Sequence, residues 1–470
     1  MNNQTIKFGT DGWRAIIADS FTFENVRIIA QAMSDYLISE GNADSGIAIS
    51  FDTRFLSDKF ARTLAEVFSS NAIPVYLSDR STPTPVLSFA VKRMKLAGGI
   101  MVTASHNPYF YNGVKFKANY GGPAMSELTG KIENWLYKNK AKHDSALIQK
   151  KVSVVDLFPD YADHIVKYIN WTNVNALHQT IVFDAMNAAG SGYLNRLLNN
   201  VPIELKQIHQ KSHPTFDGRL PEPILKNLGD LHRAVKEQSA IAGFATDGDA
   251  DRFGVLDENG NFVELHDLMP LLFSHLVETR GWRGNVVRTT SMNDTIDKMA
   301  AEHDRQVTEV PVGFKHVCEQ MLNTDVLIGG EESGGFGYKN HIPERDGLLS
   351  ILLILEMMGA RQKPLSEMVR ELRRKYGPFC YGRIDKHFDL KVLQHNLHLL
   401  SEMPPEKIGS FTVDNVSLID GIKFYFVENS WMLIRVSQTE PLARIYVGSD
   451  ENETVNRLLE EGVALMTRMR

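Results

Sequence analysis

The sequence predicts an α/β protein: three similar α/β domains with mixed, mostly parallel sheets, and a smaller C-terminal α+β domain, set around one central cleft. Three observations carry this expectation. Short apolar runs at 46–51, 73–77 and 97–102 alternate with helical stretches at 23–39, 59–69 and 82–94, the pattern of parallel strands covered on both faces. Strand–helix alternation returns at 180–183, 228–238 and 241–245, and again at 266–278, 285–289, 326–330 and 348–358. A chain of 470 residues also exceeds what one hydrophobic core usually organises. We expect domains at 1–150, 151–256, 257–375 and 376–470, with linkers near 140–155 and at Gly377-Pro378.

Composition narrows the function. A net charge of −6 gives no basic field for a nucleic-acid or membrane surface, so an anionic ligand must be met by local Arg and Lys. The two cysteines, Cys318 and Cys380, form neither a metal spacing nor a disulfide framework. No charged and then apolar leader opens the sequence, and the apolar run at 348–359 is too short to span a bilayer and contains Glu356. The expectation is a cytoplasmic enzyme, monomer or homodimer.

In chain order, Phe8-Gly-Thr-Asp-Gly-Trp-Arg14 reads as a tight turn, with Arg14 a candidate phosphate or sugar contact. Asp52-Thr-Arg54 follows the strand at 46–51. The strand at 97–102 ends on Thr103-Ala-Ser-His-Asn-Pro108, where Pro108 stiffens the turn and presents Ser105 and His106. Ser105 then falls at the carboxyl end of a strand, where active sites of such sheets lie. Alternation past Val114 aims Lys115 and Lys117 to one side; one of them can neutralise a phosphoryl group or shuttle a proton, and Lys117 is expected on a solvated face.

Asp247-Gly-Asp-Ala-Asp-Arg252 places carboxylates at i, i+2 and i+4, able to converge on a hard divalent cation. An EF-hand is disfavoured, since Arg252 stands where that loop needs glycine and the flanks read as strands. Lys315 follows a glycine in a candidate substrate loop, whereas His316 reads as a packed or solvated helix residue. Glycines flank Glu331 and Ser333, a carboxylate and a hydroxyl suited to adjacent sugar hydroxyls. Arg345 either contacts phosphate or pairs with Asp346 at a helix start. Arg435, Ser437, Gln438, Thr439 and Arg444 form an arginine and hydroxyl turn suited to a dianionic phosphate.

The serine turn, the aspartate triplet, the Gly330-Glu-Glu-Ser-Gly-Gly335 loop and the Arg435–Pro441 loop, in that order, resemble the α-D-phosphohexomutases (phosphoglucomutase/phosphomannomutase) over essentially the whole chain. The resemblance implies interconversion of hexose 1-phosphate and hexose 6-phosphate through a phosphoserine at Ser105 and a hexose 1,6-bisphosphate. It implies Mg2+ on Ser105, Asp247, Asp249 and Asp251, with glucose 1,6-bisphosphate as activator. Lys115 matches the catalytic lysine of N-G-x-K, Arg14 the arginine of F-G-T-x-G-x-R, and Arg252 the arginine of D-G-D-x-D-R. Glu331 and Ser333 match the grip on the 3- and 4-hydroxyls, and Lys315 a substrate loop. Ser437 and Thr439 match S-x-T-E-P, with Gln438 where glycine or asparagine is usual. Gly335, where bifunctional members carry histidine, implies glucose phosphate as preferred substrate; mannose or glucosamine phosphate is the alternative. A non-catalytic sugar-phosphate sensor and a phosphoserine hydrolase are the rival classes.

Overall fold

The structure, a computed structural model, describes residues 6–9, 11–436 and 442–468. Four sheets follow one another along the chain. The first runs Trp13–Ile16, Tyr111–Ala118, Gly98–Val102, Ile47–Phe51, Val75–Ser78, Val152–Val155, with Gly122–Pro123 beside Tyr111–Ala118. Its middle is parallel and its Tyr111–Ala118 side antiparallel. The second, Phe253–Leu256, Ala242–Thr246, Thr180–Asp184, Glu204–Ile208, and the third, Val307–Val310, Asn285–Thr289, Val326–Glu331, Gly335–Tyr338, are smaller versions of it. Each is parallel except for one antiparallel edge strand.

That antiparallel strand is what the three units share. In each, a buried parallel strand ends, the chain turns, and it comes straight back as the antiparallel neighbour. The turns are 103–110, 247–252 and 332–334, and each carries one predicted motif. A parallel neighbour would need a long crossover, so a short functional turn at a carboxyl strand end requires an antiparallel return. The fourth sheet is antiparallel throughout, with Ser430–Val436 and Leu442–Ser449 as neighbours. The predicted calls on Ser437, Gln438 and Thr439 fall between these strands, outside the described residues.

One apolar core runs through all three α/β units. It is centred on the helix Gly347–Arg361, whose residues from Gly347 to Gly359 are all buried. The C-terminal sheet has its own core: Ile422, Phe424, Met432, Ile434, Ile445 and Val447 face Leu390–Glu402 and Asn452–Arg468. Period-two alternation sends Lys423, Tyr425, Trp431, Leu433, Arg435, Arg444 and Tyr446 to the opposite face. The stretch expected as a linker at 140–155 instead holds the helix Ser145–Lys151 and the strand Val152–Val155, which pairs with Val75–Ser78. Among the described residues no helix is long and apolar enough to cross a membrane.

Candidate active site

Ser105 sits at φ +51°, a left-handed conformation costly for a residue with a Cβ, so its surroundings must hold it. Its N–H donates to Thr103 Oγ1 at 2.9 Å, and that hydroxyl donates to Asp52 Oδ2 at 2.6 Å. Arg54 does more. Its Nε donates to Asp52 Oδ2, and its Nη atoms donate to the carbonyls of Ser105, Asn107, Pro108 and Tyr111 at 2.6–3.0 Å. One buried guanidinium therefore fixes the whole turn. In the sequence Asp52-Thr-Arg54 shows only as the end of a strand; the D-x-R pattern at that position is the available signal.

The other face of the turn meets the aspartates. Ser105 Oγ donates to Asp247 Oδ2 at 2.7 Å, and His106 Nδ1 lies 3.5 Å from the same Oγ. Arg14 Nη1 donates to Asn107 Oδ1 at 2.6 Å. Burial, with Arg252 and Arg14 nearby, pushes His106 well below its ordinary pKa.

Asp247, Asp249 and Asp251 are fully buried, each offering an oxygen within 4.8 Å of the others. Their outer oxygens are taken. Asp249 Oδ2 accepts from Lys115 Nζ at 2.8 Å and Thr84 Oγ1 at 2.5 Å, and Asp251 Oδ2 from Arg345 Nη2 at 2.6 Å. Asp249 Oδ1 and Asp251 Oδ1 are buried without a hydrogen-bond partner among the described residues. Buried carboxylate oxygens are rarely left unpaired, and a converging orphan set is the donor chemistry of a hard divalent cation. Burial and its two neighbours raise the Asp247 carboxyl well above its usual range. The residues fit Mg2+.

Around the triplet lies a buried charge network assembled from all three units. Lys115 Nζ is 2.9 Å from Asp11, 2.8 Å from Asp249 and 3.3 Å from Asp251. Burial alone would lower Lys115, but those carboxylates outweigh it and raise it. Arg345 reaches Asp11 at 3.0 Å, Asp251 at 2.6 Å and Glu331 at 3.3 Å. Burial alone would raise Asp11, yet Lys115, Lys117 and Arg345 hold it well below the carboxylate range.

Two expectations are corrected here. Lys117 is not on a solvated face: it is fully buried, 2.6 Å from Glu344 and 3.6 Å from Asp11, because the third unit covers that side of its strand. Arg345 does not pair with Asp346 at the helix start. Asp346 instead accepts from Leu349 N as the N-cap and binds Tyr161 and His341, which leaves Arg345 turned into the cleft.

The remaining candidates lie farther out. Glu331 is buried against Arg345, and burial raises its carboxyl. Ser333 is half-buried in the same turn, and Arg252 Nε is 4.0 Å from Asp251. Lys315 opens the helix Phe314–Asn323 and donates to Ser126 of the first unit at 3.0 Å. Arg435 and Arg444 are cross-strand partners, close to Asp420 (2.5 Å) and Asp385 (3.7 Å) respectively. No direct contact joins them to the serine turn among the described residues.

Comparison with known proteins agrees with this geometry. Residues 5–143, 159–260 and 265–376 match the phosphoglucomutase/phosphomannomutase α/β/α domains I, II and III. A probable phosphoglucosamine mutase of Pyrococcus furiosus is 31% identical, covering 98% of this chain and 97% of its own. A phosphoglucomutase/phosphomannomutase of Thermococcus kodakarensis is 29% identical, covering 98% of each. The crystal structure of a putative phosphomannomutase from Thermus thermophilus shares 35% identity at a TM-score of 0.87, covering 98% of this chain and 99% of that one. With three consecutive domain matches, a full-length relative above 30% identity and a buried serine–aspartate site, the chain belongs to the phosphoglucomutase/phosphomannomutase family, the α-D-phosphohexomutases, and is an enzyme of that mutase class.

Proposed function

We propose that the enzyme interconverts hexose 1-phosphate and hexose 6-phosphate, with Ser105 carried as a phosphoserine. The observation that carries this is the contact of Ser105 Oγ with Asp247 at 2.7 Å, beside two buried, unpaired aspartate oxygens. In the first half-reaction the P–O bond to Ser105 Oγ breaks as one forms to the free sugar hydroxyl, giving a hexose 1,6-bisphosphate; in the second, a sugar–phosphoryl P–O bond breaks as one re-forms to Ser105 Oγ. After the sugar turns over, the other phosphate returns to Ser105. Ser105, Asp247, Asp249 and Asp251 would hold Mg2+, which would supply positive charge against the phosphoryl oxygens.

The chain's own groups do the rest. Arg54 and Thr103 hold Oγ on line, and His106 Nδ1 is placed to exchange a proton with the transferring oxygen. Lys115 and Arg345 meet negative charge as cations, with Arg14 and Arg252 at the rim. Lys315 and the Glu331–Ser333 turn hold the sugar, while Arg435, Arg444 and residues 437–439 pin the phosphate that is not reacting.

Glucose phosphate is the proposed preference, because Gly335 stands where the bifunctional glucose/mannose members of the family carry histidine. A second reading, aminohexose phosphate, draws on the name of the Pyrococcus furiosus relative. The test is kcat/KM on glucose, mannose, galactose and glucosamine 1-phosphates. Glucose is expected fastest, mannose slower, and galactose near background because its inverted 4-hydroxyl leaves a buried group unpaired. Glucosamine exceeding glucose selects the second reading. No isomerisation of any of the four overturns the mutase.

A further inference from the structure

The C-terminal sheet sets up an electrostatic problem. Arg435 and Arg444 stand directly opposite each other on antiparallel strands, and like charges in that position repel. On one side the register continues to Asp385, which pairs across from Arg444 on Cys380–His387. On the other side no strand residue answers Arg435. The compensating charge comes from a turn.

That turn is 418–421, joining Phe411–Ser417 to Ile422–Phe426. It lies flat on the neighbouring strand: Gly421 is at φ +76°, and a Cβ there would come within 2.2 Å of the Ile434 carbonyl and 3.1 Å of Arg435 Cα. Only glycine permits this approach. Asp420 is thereby delivered to Arg435, with Oδ2 2.5 Å from Nε. The same Oδ2 accepts from the backbone N–H of Val312 at 2.8 Å, in the third unit. Val312 also packs on the cluster of Phe379, Trp431, Leu433 and Tyr446. Two residues on begins the helix whose first turn carries Lys315, and Lys315 binds Ser126 of the first unit.

We propose that Asp420 is a positioning residue: one carboxylate oxygen orients the Arg435 guanidinium for substrate phosphate and ties that orientation to the 312–315 segment. With the Asp420 carboxylate beside Nε and Nη1 donating to Tyr446 Oη at 3.4 Å, the guanidinium plane is set and Nη2 is the nitrogen left to meet an anion among the described residues. Sharing the oxygen with Val312 sets the C-terminal unit in register with the loop that meets the sugar. The inference rests on the proposed phosphate role of Arg435.

The test is calorimetric binding of glucose 1-phosphate to the full-length Mg2+ enzyme in a Ser105→Ala background, where turnover does not interfere. Asp420→Ala is expected to weaken binding about tenfold, the scale of one charge-assisted hydrogen bond. The melting of the first three units should change little, because Asp420 reaches them through one backbone N–H. Asp420→Glu should recover part of the loss, which a purely structural role would not require. Combined with Arg435→Ala, Asp420→Ala should add nothing further, since both act through one guanidinium. Unchanged or tighter binding in Asp420→Ala, or additive losses in the double variant, overturns the positioning role while leaving the phosphate role of Arg435 standing. No loss in Arg435→Ala alone overturns both.

Discussion

Arg345 and Asp11 lie 334 positions apart in sequence and 3.0 Å apart in the cleft, and Lys115 shares the same carboxylate. Asp11 belongs to the opening glycine turn of the first unit and Arg345 to the entry of the central helix of the third. Their contact, with Asp251 of the second unit on the other side of Arg345, closes the floor of the cleft.

Ser105→Ala should abolish isomerisation, lowering kcat by at least about 10³-fold, because no other side chain can store the phosphoryl group in transit. The fold should persist at a cost of about 1 kcal/mol for the lost Ser105–Asp247 hydrogen bond, since serine already bears the left-handed backbone cost. Turnover near the wild-type rate would rule out the covalent route.

Asp249→Asn should weaken Mg2+ binding and slow the reaction together, as one of the two unpaired oxygens loses its charge. Titration calorimetry with Mg2+ alone reads the first effect without turnover. EDTA treatment should stop wild-type turnover, and Mg2+ should restore it. An EDTA-treated enzyme that keeps full activity would remove the metal from the mechanism.

Gly335→Ala should damage the sugar site from behind. A Cβ at 335 would lie 2.1 Å from Arg345 Cδ, so Arg345 must leave Asp11, Asp251 or Glu331. Such overpacking costs about 1–3 kcal/mol. We expect kcat/KM for glucose 1-phosphate to fall by about 10-fold or more, the scale of a lost charged hydrogen bond. Denaturant midpoints and rates measured together check both; an unaltered rate would show that Arg345 is not needed where it stands.

Lys117→Met should destabilise the protein by about 3–5 kcal/mol, since it leaves Glu344 buried without its partner at 2.6 Å. Adding Glu344→Gln should recover much of that loss, because an uncharged pair carries no desolvation debt. Urea unfolding of the single and double variants measures the difference. A single variant as stable as wild type would mean water already screens the pair.

These residues also mark where the sequence was legible. Helices with clear apolar periodicity were readable to within a few residues: Phe23–Ser39, Gly229–Glu237 and Gly347–Arg361 stand where the stretches at 23–39, 228–238 and 348–358 predict them. Val152–Val155 was not, because two of its four residues are exposed on an edge strand and its Lys-rich approach looks like a linker. The motifs named the serine, the aspartates and the glutamate turn. Their supporting cations were less legible: Arg54 shows no role, Lys117 reads as a solvated charge, and Arg345 stands between a phosphate contact and a pair with Asp346 until one knows what packs on them. Alternation says that Lys115 and Lys117 share a face. It cannot say that a carboxylate 227 positions away covers it.

The apolar core centred on Gly347–Arg361 threads three sheets and adds to the first unit's separate core, while the core of the C-terminal sheet is not joined to it. Melting any one of the first three units would strand unpaired charges from the other two in the cleft floor and strip that helix of its cover. Those units must therefore share a single calorimetric transition. The fourth, linked through the segment at Gly377-Pro378 and by contacts such as Asp420–Val312 and Lys423–Thr290, can melt in a transition of its own. A heating scan should resolve two endotherms, and bound hexose phosphate should draw the smaller one toward the larger.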